Sequence, residues 1–139
     1  GQTEPQPMPE SQVKRSQSVL EVGGELYNYG SKGSKAELVG RESLEGVSAF
    51  KLKLTHNDGA VSHYFLDPTT WYILKVETTR NIDGQEVTSV STFSNYQKTD
   101  IGFVMPFTVV RNQGFEMTVN VNKVEFNKQI DPKVFEMPK

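Results

Sequence analysis

Turn-forming residues recur about every ten positions from Lys35 onward, and this spacing constrains the fold more than any other feature of the chain. The separators are Glu45-Gly46, Asn57-Asp58-Gly59, Asp67-Pro68-Thr69-Thr70, Asn81-Ile82-Asp83-Gly84, Thr99-Asp100-Ile101-Gly102 and Asn112-Gln113-Gly114. The runs between them are rich in Val, Thr, Phe and Tyr, the residue types that fit a pleated surface. Six turns separate seven strands. Links this short cannot carry a crossover to a parallel neighbour, which takes about a dozen residues, so each strand is expected to pair antiparallel with the next.

Turn chemistry also sets a register. Asn57-Asp58-Gly59 suits a hairpin with Gly59 left-handed, which predicts His56 opposite Ala60, Leu54 opposite Ser62, Leu52 opposite Tyr64 and Phe50 opposite Leu66. Closing the turn from Asp67 to Thr70 places Leu66 opposite Trp71 and Tyr64 opposite Ile73. Pairing Arg80 with Gln85 brings Val90, Thr92 and Ser94 to the same side. Pairing Lys98 with Phe103 adds Tyr96, Met105, Phe107 and Val109, and the last hairpin adds Met117, Val119 and Val121. These residues form the predicted core face. Phe65, Tyr72, Leu74, Val76 and Phe93 fall on the opposite, mixed face, whose last strand is polar at Glu116, Thr118, Asn120 and Asn122.

Ahead of the strands, residues 1–9 carry Pro5, Pro7 and Pro9 and read as a flexible arm or cleavage remnant. Residues 10–22 lack glycine and proline, and Val19, Val22 and Leu26 fall three and four apart. That spacing predicts one N-terminal helix, placed on the concave face of a strongly curved or half-barrel sheet. The fold class is therefore mainly β, and residues 10–139 read as a single domain, the size one core commonly serves. The tail Ile130-Asp131-Pro132-Lys133-Val134-Phe135 reads as a short cap with proline in its first turn, Ile130 and Phe135 plugging one end. Residue 1 is glycine and not methionine, so a leader is expected to have been removed.

Composition excludes several classes. Lysine and arginine total 15 against 17 acidic residues, leaving no positive excess to neutralise a run of phosphates. No apolar run approaches the roughly 20 residues of a membrane-spanning helix, so a soluble chain is expected. Cysteine is absent, which removes disulfides, thiolate catalysis and thiolate metal sites. His56 and His63 stand without a serine, carboxylate or second histidine at triad or metal spacing. Asp58, Asp67, Asp83 and Asp100 each sit in a turn, where aspartate's bonding to its own backbone accounts for them. Gly23, Gly24, Gly30 and Gly33 precede a strand and not a helix, so they form a connector and not a phosphate cradle. No catalytic residue, cofactor or metal is expected, and the chain reads as non-enzymatic.

Two apolar groups remain as candidate sites. Tyr64, Leu66, Trp71, Ile73, Met105 and Phe107 are the candidate ligand-binding residues of a curved-sheet cavity, where Pro106 interrupts the ladder. Phe65, Tyr72, Leu74 and Phe93 are the candidate interaction surface, because contiguous exposed apolar area tends to mark a contact site.

Short signatures in this layout resemble a known family. Leu44 to Leu54, then Asp58-Gly59, Tyr64-Phe65-Leu66-Asp67-Pro68 and Ile73-Leu74-Lys75-Val76-Glu77 resemble the C-terminal half of LolA/LolB-like outer-membrane lipoprotein-sorting proteins. Gly102-Phe103-Val104-Met105-Pro106-Phe107-Thr108 is similar to that family's glycine-hydrophobic-x-x-proline-phenylalanine strand. Val124-Glu125-Phe126-Asn127, Ile130-Asp131 and Phe135-Glu136-Met137-Pro138 are similar to its closing segment. The likeness spans roughly residues 35–138 and implies an unclosed β barrel that carries lipoprotein acyl chains through the periplasm. Family members are longer, with further strands and a helix ahead of this region, and no individual ligand-binding residue can be matched. The expected partner is thus a lipoprotein acyl chain or another apolar ligand, with a homodimer as a further partner and a peripheral relation to the outer membrane. The competing expectation is a protein-protein interaction domain acting through the mixed face.

Overall fold

The computed structural model describes residues 7, 8, 13, 23–82 and 84–136. The chain divides into two compact units, Asn28–Val124 and Gly1–Tyr27 together with Glu125–Lys139. The helix predicted over 10–22 falls outside the described residues except at Val13. In the larger unit, seven strands form one antiparallel sheet in chain order: β1 (Lys35–Leu44), β2 (Val47–Thr55), β3 (Val61–Leu66), β4 (Ile73–Ile82), β5 (Gln85–Lys98), β6 (Val104–Asn112) and β7 (Glu116–Asn120). The sheet is a simple meander with β1 and β7 at its edges, so among the described residues it does not close into a barrel.

Three turns behave as their residues dictate. Glu45 and Gly46 both take positive φ, 50° and 87°, which is the two-residue hairpin geometry that matches strand twist. Gly59 is left-handed at 84°, its N–H donates to the His56 carbonyl at 3.0 Å, and the Asp58 carboxylate accepts from Ala60 N–H. The predicted β2–β3 register follows intact: Phe50 opposite Leu66, Leu52 opposite Tyr64 and Leu54 opposite Ser62. The last hairpin is shifted by two residues, pairing Val109 with Val119 and Arg111 with Met117, an even shift that leaves every side chain on its expected face.

Two other turns change the faces. At the β3–β4 link, Asp67 pairs with Tyr72 and not Leu66 with Trp71: Asp67 N–H donates to the Tyr72 carbonyl and Trp71 N–H to the Asp67 carbonyl. The Asp67 carboxylate organises this longer loop by accepting from the N–H groups of Thr69 (2.9 Å) and Thr70 (2.7 Å) and from the Thr70 hydroxyl. Those bonds, that of the Thr70 N–H first, hold its carboxyl below its ordinary value. Trp71 closes the loop at φ 62°, and Leu74 is then left over as a bulge between Leu66–Ile73 and Phe65–Lys75. At the β5–β6 link, Thr99 and Phe103 form the closing pair around Asp100-Ile101-Gly102, with Gly102 left-handed at 85°, which moves Lys98 opposite Val104.

Each of these shifts is odd, so each turns the strand beyond it over. Val76 comes opposite Tyr64, Ser91 opposite Val76, and Phe93 opposite Val109. The predicted faces of β4 and β5 are therefore corrected. Val76 and Phe93 join the core face, while Val90, Thr92 and Ser94 lie with Lys75 and Phe65 on the other. The second odd shift reverses the first, and Val109, Met117 and Val119 return to the face of Leu52, Leu54 and Tyr64 as expected. The predicted single patch of Phe65, Tyr72, Leu74, Val76 and Phe93 does not form, because the ladder puts Phe65 and Phe93 on opposite sides.

Burial is concentrated on β2 and β3. Leu54, Ala49, Phe65 and Ser62 are fully buried, and Ala60, Tyr64 and Leu66 nearly so. Ser62 is the buried polar member, and its hydroxyl is bonded to His56 Nε2 at 2.8 Å and to the Thr78 hydroxyl at 2.9 Å, so burial leaves it satisfied. In the smaller unit, Pro132–Phe135 forms a 3-10 turn capped by the Asp131 carboxylate, which accepts from Lys133 N–H, as the proline position predicts. Ile130 and Phe135 remain 59% and 78% exposed, so they are not the plug expected of them.

Candidate functional site

The two faces of the sheet carry different chemistry. Opposite the core face, β1–β4 present alternating cations and anions: Lys51 bonds Glu42 at 2.7 Å, Lys53 lies 3.6 Å from Glu37, and Lys75 pairs with Glu77. Phe65 lies beneath this layer with the Lys51 and Lys75 ammonium groups 5.1 and 5.0 Å from its ring centroid. The aliphatic stems of the two lysines explain how a phenylalanine on a charged face is fully buried. The bond from Lys51 is also the main reason the Glu42 carboxyl titrates below its ordinary value. Phe65 is fully buried beneath these two lysines and presents no surface to a partner.

The core face is mostly apolar, with Ser62, Thr78, Ser91 and Arg111 among its members, and its burial is concentrated on β2 and β3. Leu54 and Tyr64 are buried there, whereas Leu38 on β1 is 62% exposed and Met117 and Val119 on β7 are each 43% exposed. Near the β3–β4 turn this face carries an aromatic stack. Phe50 and Trp71 lie 5.3 Å apart with rings 2° from parallel, and the Arg41 guanidinium sits 4.2 Å from the Phe50 centroid. Arg41 reaches Phe50 because the Glu45-Gly46 hairpin pairs the two directly. Trp71 keeps 62% of its surface exposed while held by the stack in a backbone conformation unusual for a bulky residue.

The predicted ligand-binding residues are only partly assembled. Tyr64 and Leu66 are buried in the β2–β3 core, Ile73 lies opposite Leu66, and Trp71 flanks them through Phe50. Met105 and Phe107 are half-buried on β6, about 14 Å away at three ladder spacings. Of the predicted interaction residues, Phe65 is sealed, Leu74 is the bulge and Phe93 faces Val109. Tyr72 stacks on Tyr96 at 4.4 Å. The Tyr96 hydroxyl donates to the Ile73 carbonyl at 2.6 Å, and burial pushes its pKa up to about 12. Sequence reasoning missed Arg41 and Phe50 as site residues, although Leu44 opposite Val47 in a two-residue hairpin already places them face to face.

Among the described residues, the one serine–histidine contact is not arranged as a nucleophile and base open to substrate. Ser62 and His56 are hydrogen-bonded, yet Ser62 is fully buried and its hydroxyl is also held by Thr78, so it presents no nucleophile to a substrate. Among the described residues no group of three His, Asp or Glu side chains is placed to hold a metal ion. No described helix is long and apolar enough to cross a membrane.

No protein-family model matches the chain, and the search of curated proteins gives no match. Among solved structures, the fold is similar to that of a domain from Vibrio parahaemolyticus named for outer membrane lipoprotein sorting, with a TM-score of 0.57 and 18% sequence identity. The match covers 73% of this chain and 46% of that one, so this chain spans less than half the length of the protein it resembles. At that identity the likeness is one of fold, and it agrees with the resemblance carried by the strand signatures of residues 35–138.

Proposed function

We propose that this chain is a non-enzymatic carrier or sensor that binds lipoprotein acyl chains, or another apolar ligand of that chemistry, on the core face of its sheet in the periplasm. The observation that carries the proposal is a largely apolar face, buried at β2–β3, that emerges exposed at Leu38 and Trp71 and half-exposed at Met117 and Val119, with Ser91 and Arg111 interposed before β7. Methionine and branched side chains on such a surface suit a flexible hydrocarbon, which needs area and not directed hydrogen bonds. The fold of the Vibrio domain supports the same reading. The competing interaction-domain reading loses its patch, since Phe65 is sealed by lysines and Phe93 lies on the other face.

Trp71 supplies the test, being the sole tryptophan and 62% exposed. Titration with a diacylated lipopeptide below its aggregation threshold is expected to shift its emission to the blue and to saturate. The deacylated peptide is expected to do nothing. An unchanged spectrum with both peptides would overturn a ligand site beside Trp71.

A further inference from the structure

The two edges of the sheet are built differently. The β1 edge carries a register break between Leu38 and Gly40 together with Lys35, Glu37, Arg41 and Glu42, devices that discourage another strand from adding. The β7 edge lacks a register break and carries fewer charges. Its five residues, Glu116 to Asn120, are all exposed, run without a bulge and include one charge. Among the described residues, β7 has β6 as its strand neighbour and none beyond it.

The direction of its backbone groups follows from two bonds. Val121 N–H donates to the Phe107 carbonyl at 2.8 Å, and Gln113 N–H donates to the Phe115 carbonyl at 3.1 Å. Both fix odd-numbered positions as the ones bonded across to β6. Because strand groups alternate, Glu116, Thr118 and Asn120 turn their N–H and C=O groups toward the open edge. Water satisfies such a row while the edge is bare, and an added extended strand is the protein element that matches its spacing.

We propose that the strand is β7 of a second copy, paired antiparallel about a two-fold axis through Thr118. In that register Thr118 meets its own counterpart, a favoured cross-strand pair. Glu116 meets Asn120, so the one charged residue of the strand faces a neutral amide and never its own copy. Met117 meets Val119 side by side on the core face, so two residues that are each 43% exposed in the single chain continue the apolar rim across the seam. Each outward pair exchanges both of its backbone bonds, and the two sheets become one. A register moved by two residues breaks this match: one direction brings Glu116 opposite Thr118, the other brings Thr118 opposite Asn120, and each leaves a terminal pair of β7 unmade. The inference stands on strand chemistry and does not depend on the ligand proposed above.

Sedimentation velocity of the full chain is expected to show a concentration-dependent dimer. Thr118→Lys sets two ammonium groups against each other at the axis and is expected to raise the dimer dissociation constant at least about tenfold, while Thr118→Ser leaves it within about twofold. Because the chain has no cysteine, Thr118→Cys gives a sharper reading. Residues in a hydrogen-bonded antiparallel pair sit about 5.5 Å apart at Cα, within disulfide reach. Mild oxidation is expected to link that variant as a dimer and to leave Lys35→Cys, on the β1 edge, unlinked. Circular dichroism checks that each variant keeps its sheet. A wild-type chain that stays monomeric at high concentration, a dimer indifferent to Thr118→Lys, or equal cross-linking at Lys35→Cys would each overturn the proposal.

Discussion

Replacing Phe65 with alanine is expected to destabilise the fold by about 3 to 5 kcal/mol, the range found when a buried aromatic is emptied. The ring is fully buried between β2 and β4 neighbours, and Lys51 and Lys75 rest over it. Removing it leaves a void beneath two ammonium groups, which cannot collapse into apolar space without shedding water. Urea unfolding measures the loss. A change within about 0.5 kcal/mol, the size typical of surface sites, would show that the lysine layer does not seal the ring and that Phe65 is available to a partner after all.

The second large effect is expected at Leu54. It is fully buried on the core face, and its cross-strand neighbours are Ala36 and Ser62, both small, so little side-chain volume is at hand to refill the space. Leu54→Ala is expected to cost about 2 to 5 kcal/mol, toward the upper end of that range. Val119→Ala, on the same face but 43% exposed, is expected to cost less than about 1 kcal/mol. Equal losses at the two sites would mean that the face is covered uniformly, and the half-exposed apolar rim on which the functional proposal rests would not exist.

The contrast between these residues shows how far sequence alone could reach. Strand number, order and antiparallel pairing were legible because each turn is short and rich in glycine, aspartate or asparagine. The Asn57-Asp58-Gly59 register was legible for the same reason. Phe65 was misread as surface because alternation says which side of a strand a residue occupies and says nothing of the lysine stems that lie across it from neighbouring strands. The β4 and β5 faces were misassigned because of the Leu74 bulge: the loop organised by the Asp67 carboxylate moves Leu66 from Trp71 to Ile73, an even step that keeps the face, and the bulge adds the odd residue that no turn signal announces. Thr99 raises the same difficulty, since its hydroxyl joins its N–H on the Phe103 carbonyl and sets the closing pair one residue later. Two parity errors that cancel return the right answer for Val109 and Met117 by a wrong route.

The candidate site was legible in kind and not in membership. A mostly apolar face with Trp71 at the β3–β4 turn follows from the strand pattern. The Arg41–Phe50–Trp71 stack depends on a left-handed Trp71, which the sequence does not signal because bulky residues rarely adopt that conformation. Met105 and Phe107 were grouped with Tyr64 because they share its face, but a shared face on a seven-stranded sheet does not imply contact.

Native mass spectrometry of the intact chain, incubated with a diacylated lipopeptide and freed of detergent, tests the functional account most directly. The account predicts a retained mass equal to one lipopeptide per chain, displaced by competing free fatty acid and weakened when Met117 and Val119 are replaced together by serine. A bare protein mass after the same incubation, with the sheet intact by circular dichroism, would contradict it.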